Sequence, residues 1–587
     1  MIDTRLPRAP QTSPASRSPR FSRWADAAVV LVLLAAAVGL VELAARWTAP
    51  MTPTVEIDLA IGALPGYAAL STARMALAYA LSLSFTLVYA RLAVTSQLAE
   101  RLLIPVLDIL QSIPILSFLP AVVLALVALV PGSNVGLELA AIVLIFTSQA
   151  WNMTFGFYHS LITLPHELRE VAAIHRLGAW QRFTRLELPF GAIPLVWNSM
   201  MSWAGGWFFL MAAEQFTLGD RSFQLPGLGS YLRTAADQGD LTALFLGLAT
   251  LVAVIVLLDQ LVWRPVIAWA DRFKVEQTGA ALAPTSAVLT ALRRSALLAW
   301  LGKRLFRPLG HLLDDMGNRV FPGPQDAEPS RRAEATRRVI RATAGVVVGL
   351  GLAMFVLWGA FAAARLLSAL TLADWSAIGV ATGATLLRVA AALLIGAAWT
   401  VPVGVAIGLN PRLAQRAQPI VQVVAAIPAT ALFPALLLLL LGLPGGLNLA
   451  AVGLMLLGTQ WYVLFNVIAG AMAIPNDLRE AAALYRLTGW RRWRYLILPG
   501  IFPSFLTGVV TATGGAWNAS IVAEFVTFGQ ETIQTTGLGA VIAQSAEAGD
   551  FPMLLAGTLT MSAVVVLVNR LVWRRLATLS ERRFRLD

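Results

Sequence analysis

Residues 164–189 read LPHELREVAAIHRLGAWQRFTRLELP, and residues 474–499 read IPNDLREAAALYRLTGWRRWRYLILP. The two segments align at an offset of 310 without a gap, with 13 of 26 positions identical. A repeat displaced by more than half the chain means two copies of one structural unit. The same offset pairs Trp151 with Trp461, Trp207 with Trp517, Glu214 with Glu524, and Gly227-Leu228-Gly229 with Gly537-Leu538-Gly539. Upstream the offset is 314, pairing Arg74 with Arg388, Pro105 with Pro419, Pro114 with Pro428 and Pro120 with Pro434. Four residues are therefore lost between Pro120 and Trp151, a slip expected in the loop between the third and fourth apolar segments.

The solvent for this unit is a bilayer. The chain is 58% hydrophobic and 13% charged, with a mean hydropathy of +0.72, against roughly 25% charged residues in a soluble domain. A spanning helix needs about 20 mostly apolar residues. Such runs begin near Ala27, Ala68, Leu102, Gly136, Gly191 and Leu241, and again near Val339, Ile378, Ala417, Leu447, Ile501 and Phe551. The expected fold is an all-α polytopic membrane protein of about 12 transmembrane helices in two pseudo-symmetric parallel repeats, related by an axis along the membrane normal. The expected division is a tail (1–25), a first unit (26–264), a linker (265–338), a second unit (339–575) and a short tail (576–587). Prolines 114, 120, 428 and 434 should kink the third and ninth spans.

The net charge is +12. Its Lys and Arg sit in short stretches between apolar runs, which reads as positive-inside topology and not as a nucleic-acid patch. Residues 264–338 hold thirteen Lys or Arg. This linker should be cytoplasmic, as an interfacial amphipathic helix around residues 287–305 or as a solvated connection. The N-terminal tail reads as a disordered cytoplasmic segment without a cleavable signal. There is no cysteine, which excludes disulfides and thiolate metal sites. His159, His166 and His175 lack a coherent ligand spacing, so no metal site is expected.

Each repeat carries one polar segment between its fourth and fifth spans. It opens on a proline, Pro165 or Pro475, and reads as a short amphipathic helix. Ala172 with Ala173, and Ala482 with Ala483, give a small close-packing face. Glu170 and Glu480 occupy equivalent positions, and Trp180 and Trp490 are large anchors. A loop facing only lipid headgroups has no reason to repeat this pattern, whereas a docking helix for a cytoplasmic partner has.

The segment resembles the EAA loop of binding-protein-dependent ABC importer permeases: Glu170, Ala172, Ala173 and Gly178 with Leu188-Pro189, and Glu480, Ala481 and Ala482 with Leu498-Pro499. The paired Trp207, Glu214 and Gly227-Leu228-Gly229 are similar to the nitrate, sulfonate, taurine and bicarbonate branch. The resemblance covers residues 68–264 and 378–575. It implies a type I importer permease in a bacterial inner membrane, with both termini cytoplasmic. Its partners would be two ATP-binding cassette subunits, docked on the two EAA loops, and a periplasmic solute-binding protein. The implied cargo is a small anion such as a sulfonate, nitrate or bicarbonate. Two departures stand out. The step from Glu170 to Gly178 is two residues longer than the family pattern. Thr488 holds the place of Gly178, with Gly489 following, so the second loop should bend differently or use Gly489.

The chain lacks a G-x-x-x-x-G-K-[ST] loop; Gly302-Lys303-Arg304 is the nearest fragment. It should not be an enzyme, and ATP and magnesium should be held by partner subunits, with no cofactor here. Glu214 and Glu524 sit late in apolar spans, where a carboxylate either lines a path or makes a helix–helix hydrogen bond. Arg74 and Arg388 either face a water-filled path with Trp207 and Trp517, pair with a carboxylate, or snorkel. The polar segments after spans five and eleven should lie outside and receive the binding protein. An ion-coupled secondary transporter with duplicated six-helix halves fits the topology equally well, and a non-transporting scaffold is a further alternative. Neither calls for two matched EAA loops.

Overall fold

The computed structural model describes residues 55–131, 133–218, 221–273, 286–320, 356–528 and 531–583, with a few isolated positions elsewhere. The expected tail 1–25, most of the span expected from Ala27, the start of the span expected from Val339 and the remaining linker residues lie outside the described residues. The last four residues of the C-terminal tail do so too.

In the first repeat, α1 (Leu64–Ala93), α4 (Val135–Ile162) and α6 (Leu188–Ala213) pack side by side. Between α1 and α4 lie α2 (Gln97–Ser112) and α3 (Leu119–Leu129). The polar loop forms α5 (His166–Ile174). After α6 come a hairpin of β1 (Gln215–Leu218) and β2 (Arg221–Gln224), the short α7 (Leu228–Asp237) and the long α8 (Leu241–Phe273). The linker residues that are described form α9 (Ala287–Arg293), α10 (Ala296–Leu301) and α11 (Arg307–Val320), the first two capped by Ser286 and Ser295. The second repeat follows the same order: α12 (Leu372–Leu409), α13 (Pro411–Ala426), α14 (Ala429–Leu440), α15 (Gly446–Ala473), α16 (Asn476–Leu484), α17 (Leu498–Ala523), β3 (Phe525–Phe528), β4 (Glu531–Gln534), α18 (Leu538–Ala548) and α19 (Phe551–Ser580).

Among the described residues seven helices are long and apolar enough to cross a membrane, or eight if one bent pair counts as a span. The architecture is the expected polytopic helical one, and it differs from expectation in four places. The third and ninth spans are broken, not kinked. Ile427 adopts φ −70°, ψ 119° ahead of Pro428, because the proline ring disfavours the helical region for its predecessor. The helix resumes at Ala429, bent by 80° from the end of α13. Ile113, at φ −78°, ψ 124°, ends α2 the same way before Pro114. The four-residue slip falls mostly in a helix and not in the expected loop. Beyond its proline, α3 runs through residues 121–129, whereas α14 runs only through 435–440, and both loops then take five residues. The two hairpins were not expected. Finally, α8 continues to Phe273, past the expected unit boundary at 264.

The two halves share one core. Ile115, Leu116 and Val123 of the first repeat bury with Leu454, Trp517 and Ala523 of the second. The backbone freed at the Pro114 break is satisfied across this seam, where Asn518 Oδ1 accepts from the amide of Ile115 at 2.6 Å.

Candidate functional site: two arginine–glutamate clasps, two polar loops and a cavity between the halves

The helix register sends Arg74 of α1 towards Glu138, in the first turn of α4, and towards Glu214, which caps α6. Arg74 is wholly buried. Its Nε and Nη2 donate to Glu138 at 2.6 and 2.8 Å, and its Nη1 donates to Glu214 at 2.8 Å and to the Pro226 carbonyl at 2.9 Å. Glu214 also accepts from the Ser71 hydroxyl at 2.6 Å and from the Gly229 amide at 2.6 Å. The amide of Leu228 donates in turn to Ser71 Oγ at 2.9 Å. The carboxylate therefore sits at the N-terminus of α7, where free amides and the helix dipole favour negative charge. The first glycine of the Gly-Leu-Gly motif is accounted for by this contact, and the second by its close approach to the α6 backbone at Met211. A Cβ on Gly227 would fall on the Glu214 carboxylate, although φ 179° is open to any residue.

The second repeat rebuilds this clasp with three exchanges. In one, Thr535 stands in place of Leu225, and its hydroxyl accepts from Arg388 at 2.9 Å. Arg388 donates to Glu524 at 2.7 Å, Thr385 replaces Ser71, and Asn448 replaces Glu138, accepting from Arg388 at 3.0 and 2.7 Å. Gly539 and Leu538 donate to Glu524 and Thr385 as their counterparts do. Each clasp ties the hairpin and short helix after the fifth apolar helix of its repeat to the spans beneath.

The polar loops lie at the other end of the bundle. Glu138 opens α4 and His166 follows its last turn, so the 28 residues of α4 separate clasp from loop by about 42 Å. Arg169 donates to the Leu161 and Ile162 carbonyls, and Arg479 to the Ala471 carbonyl, so each arginine satisfies the carboxyl end of the preceding span. Ala172 and Ala482 are buried under α5 and α16. Glu170 is exposed and pairs with His166 at 3.1 Å, and Glu480 is exposed. Ala173 is exposed and Ala481 half-buried. Ile174 and Leu484 end the two helices 77% and 82% exposed.

Gly178 does not need its glycine for a left-handed conformation, since its φ is −63°. Thr488 is comfortable in the same role at φ −122°. The left-handed residues common to both loops are Arg176 and Arg486, and Gly489 adds a third, at φ +52°, in the second loop only. The loops also differ in cover. Trp180 donates its indole N–H to Asp314 of α11 at 3.0 Å and packs over Gly317. Trp490 is 70% exposed.

Between the halves lies a cavity of about 450 Å³. It is walled by α6, by the middle of α8, by the break at Pro428 and by α15 and α17. Trp207 lines it; Trp517 is fully buried in the shared core instead. Arg74, Glu214, Arg388 and Glu524, weighed above as path residues, are brought together in the clasps and do not line it. Sequence reading misses the polar members that do line it, Asp259, Gln422 and Asn466. Their counterparts in the other repeat are Asn569, Asp108 and Gly156, all of different chemistry, so no repeated pattern marks them.

The family of binding-protein-dependent transport system inner membrane components matches residues 82–262 and again 400–586. The chain belongs to this family. It carries the inner membrane component twice, each match falling on one repeat. Among curated relatives, the nitrate import permease protein of Leptolyngbya laminosa is 27% identical over 189 residues, which is 32% of this chain and 64% of the relative. A bicarbonate transport system permease protein of Synechococcus elongatus is 29% identical over 192 residues, covering 32% and 66%. The taurine transport system permease protein of Escherichia coli is 26% identical over 197 residues, covering 33% and 68%. The chain thus spans just under two thirds of the length of the first two. A match of this size is one repeat long, so the chain is two such units fused.

Proposed function

We propose that the chain supplies both membrane-spanning units of an ATP-driven importer, with the solute passing between its two halves. The observation that carries this reading is the pair of matched, exposed helices α5 and α16 on one face, with a cavity at the join of the halves. Each helix ends in an exposed apolar residue and is anchored to a span by an arginine, as a coupling helix requires. ATP and magnesium would be bound by two ATP-binding cassette subunits docked there, through Glu170, Ala173, Ile174 and their counterparts. The loops would then face the cytoplasm, together with both termini, in a bacterial inner membrane. A solute-binding protein would dock on the opposite face, where the clasps hold the hairpins. By likeness to the relatives named for nitrate, bicarbonate and taurine, the cargo would be a small anion such as a sulfonate, nitrate or bicarbonate.

Co-expression with the cognate ATPase and binding protein tests this. The complex should co-purify, and in proteoliposomes the loaded binding protein should stimulate ATP hydrolysis. Solute uptake that needs an ion gradient and no ATP would instead support the secondary-transporter alternative.

A further inference from the structure

The wall of the central cavity is unusual for a small anion. Nine of its thirty-one lining residues are aromatic, whereas aromatic residues make up 9% of the chain. Its one charged lining residue among those described is Asp259, a carboxylate paired with Arg264 at 3.1 Å. No Lys, Arg or His lines it among the described residues. A nitrate or bicarbonate ion would shed water here and find no cation in the wall to replace it, an unfavourable exchange.

The rings come from both halves and are held in place. Trp203 of α6 and Trp263 of α8 lie edge to face, with centroids 5.9 Å apart, and Tyr79 packs edge to face on both at 5.7 and 5.8 Å. Across the join, Trp461 is buttressed by Trp399 at 6.2 Å, and the Trp399 N–H is fixed by Gln460 at 3.1 Å. The two walls approach closely, since a Cβ on Gly205 would stand 3.2 Å from the Tyr462 hydroxyl. Rings on two opposing sides, with orientations already set, suit a flat π-system that stacks or meets them edge to face.

Resting on the permease reading above and narrowing its cargo, we infer that this cavity is a solute site for an organic molecule bearing a planar aromatic ring. The ring, and not a negative charge, is the part recognised. Gln422, Asn466 and the Tyr462 hydroxyl are neutral polar groups of the wall for a ring substituent.

Saturation-transfer NMR on the full chain in lipid nanodiscs, with empty nanodiscs as control, uses two probes that share one anionic group, benzenesulfonate and ethanesulfonate. Saturation should pass to the benzenesulfonate ring protons and not to ethanesulfonate. Excess nitrate should not displace it, and Trp461→Leu should abolish the signal. Trp203→Leu, on the opposite wall, provides the same test should Trp461→Leu fail to fold. Equal transfer to ethanesulfonate, displacement by nitrate, or no transfer to benzenesulfonate in folded protein would each overturn the inference. None of these outcomes bears on co-purification with the ATPase, which tests the permease reading separately.

Discussion

Arg74 and Glu214 stand 140 residues apart in the chain and meet at 2.8 Å with no solvent exposure of either side chain. Arg388 and Glu524 repeat the pair at 2.7 Å, but without the second carboxylate that Glu138 supplies to the first. This difference yields a prediction. Removing one partner of a buried ion pair costs about 3–5 kcal/mol when it strands the other charge. Glu524→Gln strands Arg388, whose remaining partners are neutral and whose side chain is 11% exposed, and should lose stability towards the lower end of that scale. Glu214→Gln leaves Arg74 paired with Glu138 and should lose clearly less. Thermal unfolding of the two purified variants in detergent decides it; equal losses, or the reverse order, would count against the role given to Glu138.

The glycine before each of the short helices α7 and α18 makes room for a carboxylate. Gly537→Ala would place a methyl group on Glu524, so it should destabilise the clasp by about 1–3 kcal/mol, as overpacking does. Gly514 lies in the same polypeptide stretch, in α17, with nothing within 4 Å of a built Cβ. Gly514→Ala should be neutral or slightly stabilising, since alanine is the better helix former. A shared melting temperature for both variants would contradict this account of the motif.

The linker touches only one of the paired tryptophans among the described contacts. Trp180→Ala removes the hydrogen bond to Asp314 and the ring over Gly317. Amide exchange across residues 307–320 should rise in that variant. Trp490→Ala should leave it unchanged. Equal protection in both variants would show that α11 is held by other contacts.

Much of this arrangement is legible in the sequence, because duplication constrains it. The offset of 310 locates both polar loops, both Gly-Leu-Gly motifs and both buried glutamates, and the apolar runs point to the polytopic helical class. What escapes depends on which side chains meet across distant segments. A carboxylate late in an apolar run is the same letter whether it lines a path or closes on an arginine 140 residues away. Glu138 escapes because its counterpart is Asn448, and a search for matched pairs discards unmatched ones. The hairpins are four-residue strands, too short for periodicity to reveal. The left-handed turn common to both loops falls at Arg176 and Arg486 and not at Gly178 or Thr488, since glycine is the usual but not obligatory left-handed residue.

The central claim is that α5 and α16 are the two contacts through which ATPase subunits drive the paired halves. The chain has no cysteine, so each introduced thiol is unique. Ile174→Cys and Leu484→Cys place one at the exposed end of each helix, and Leu241→Cys places one at the opposite end of the bundle, where α8 begins. Thiol-directed cross-linking in the complex co-expressed with its ATPase should join residues 174 and 484 to that subunit and leave 241 unlinked. An intact complex in which 174 and 484 do not cross-link, or in which 241 does, would contradict the account.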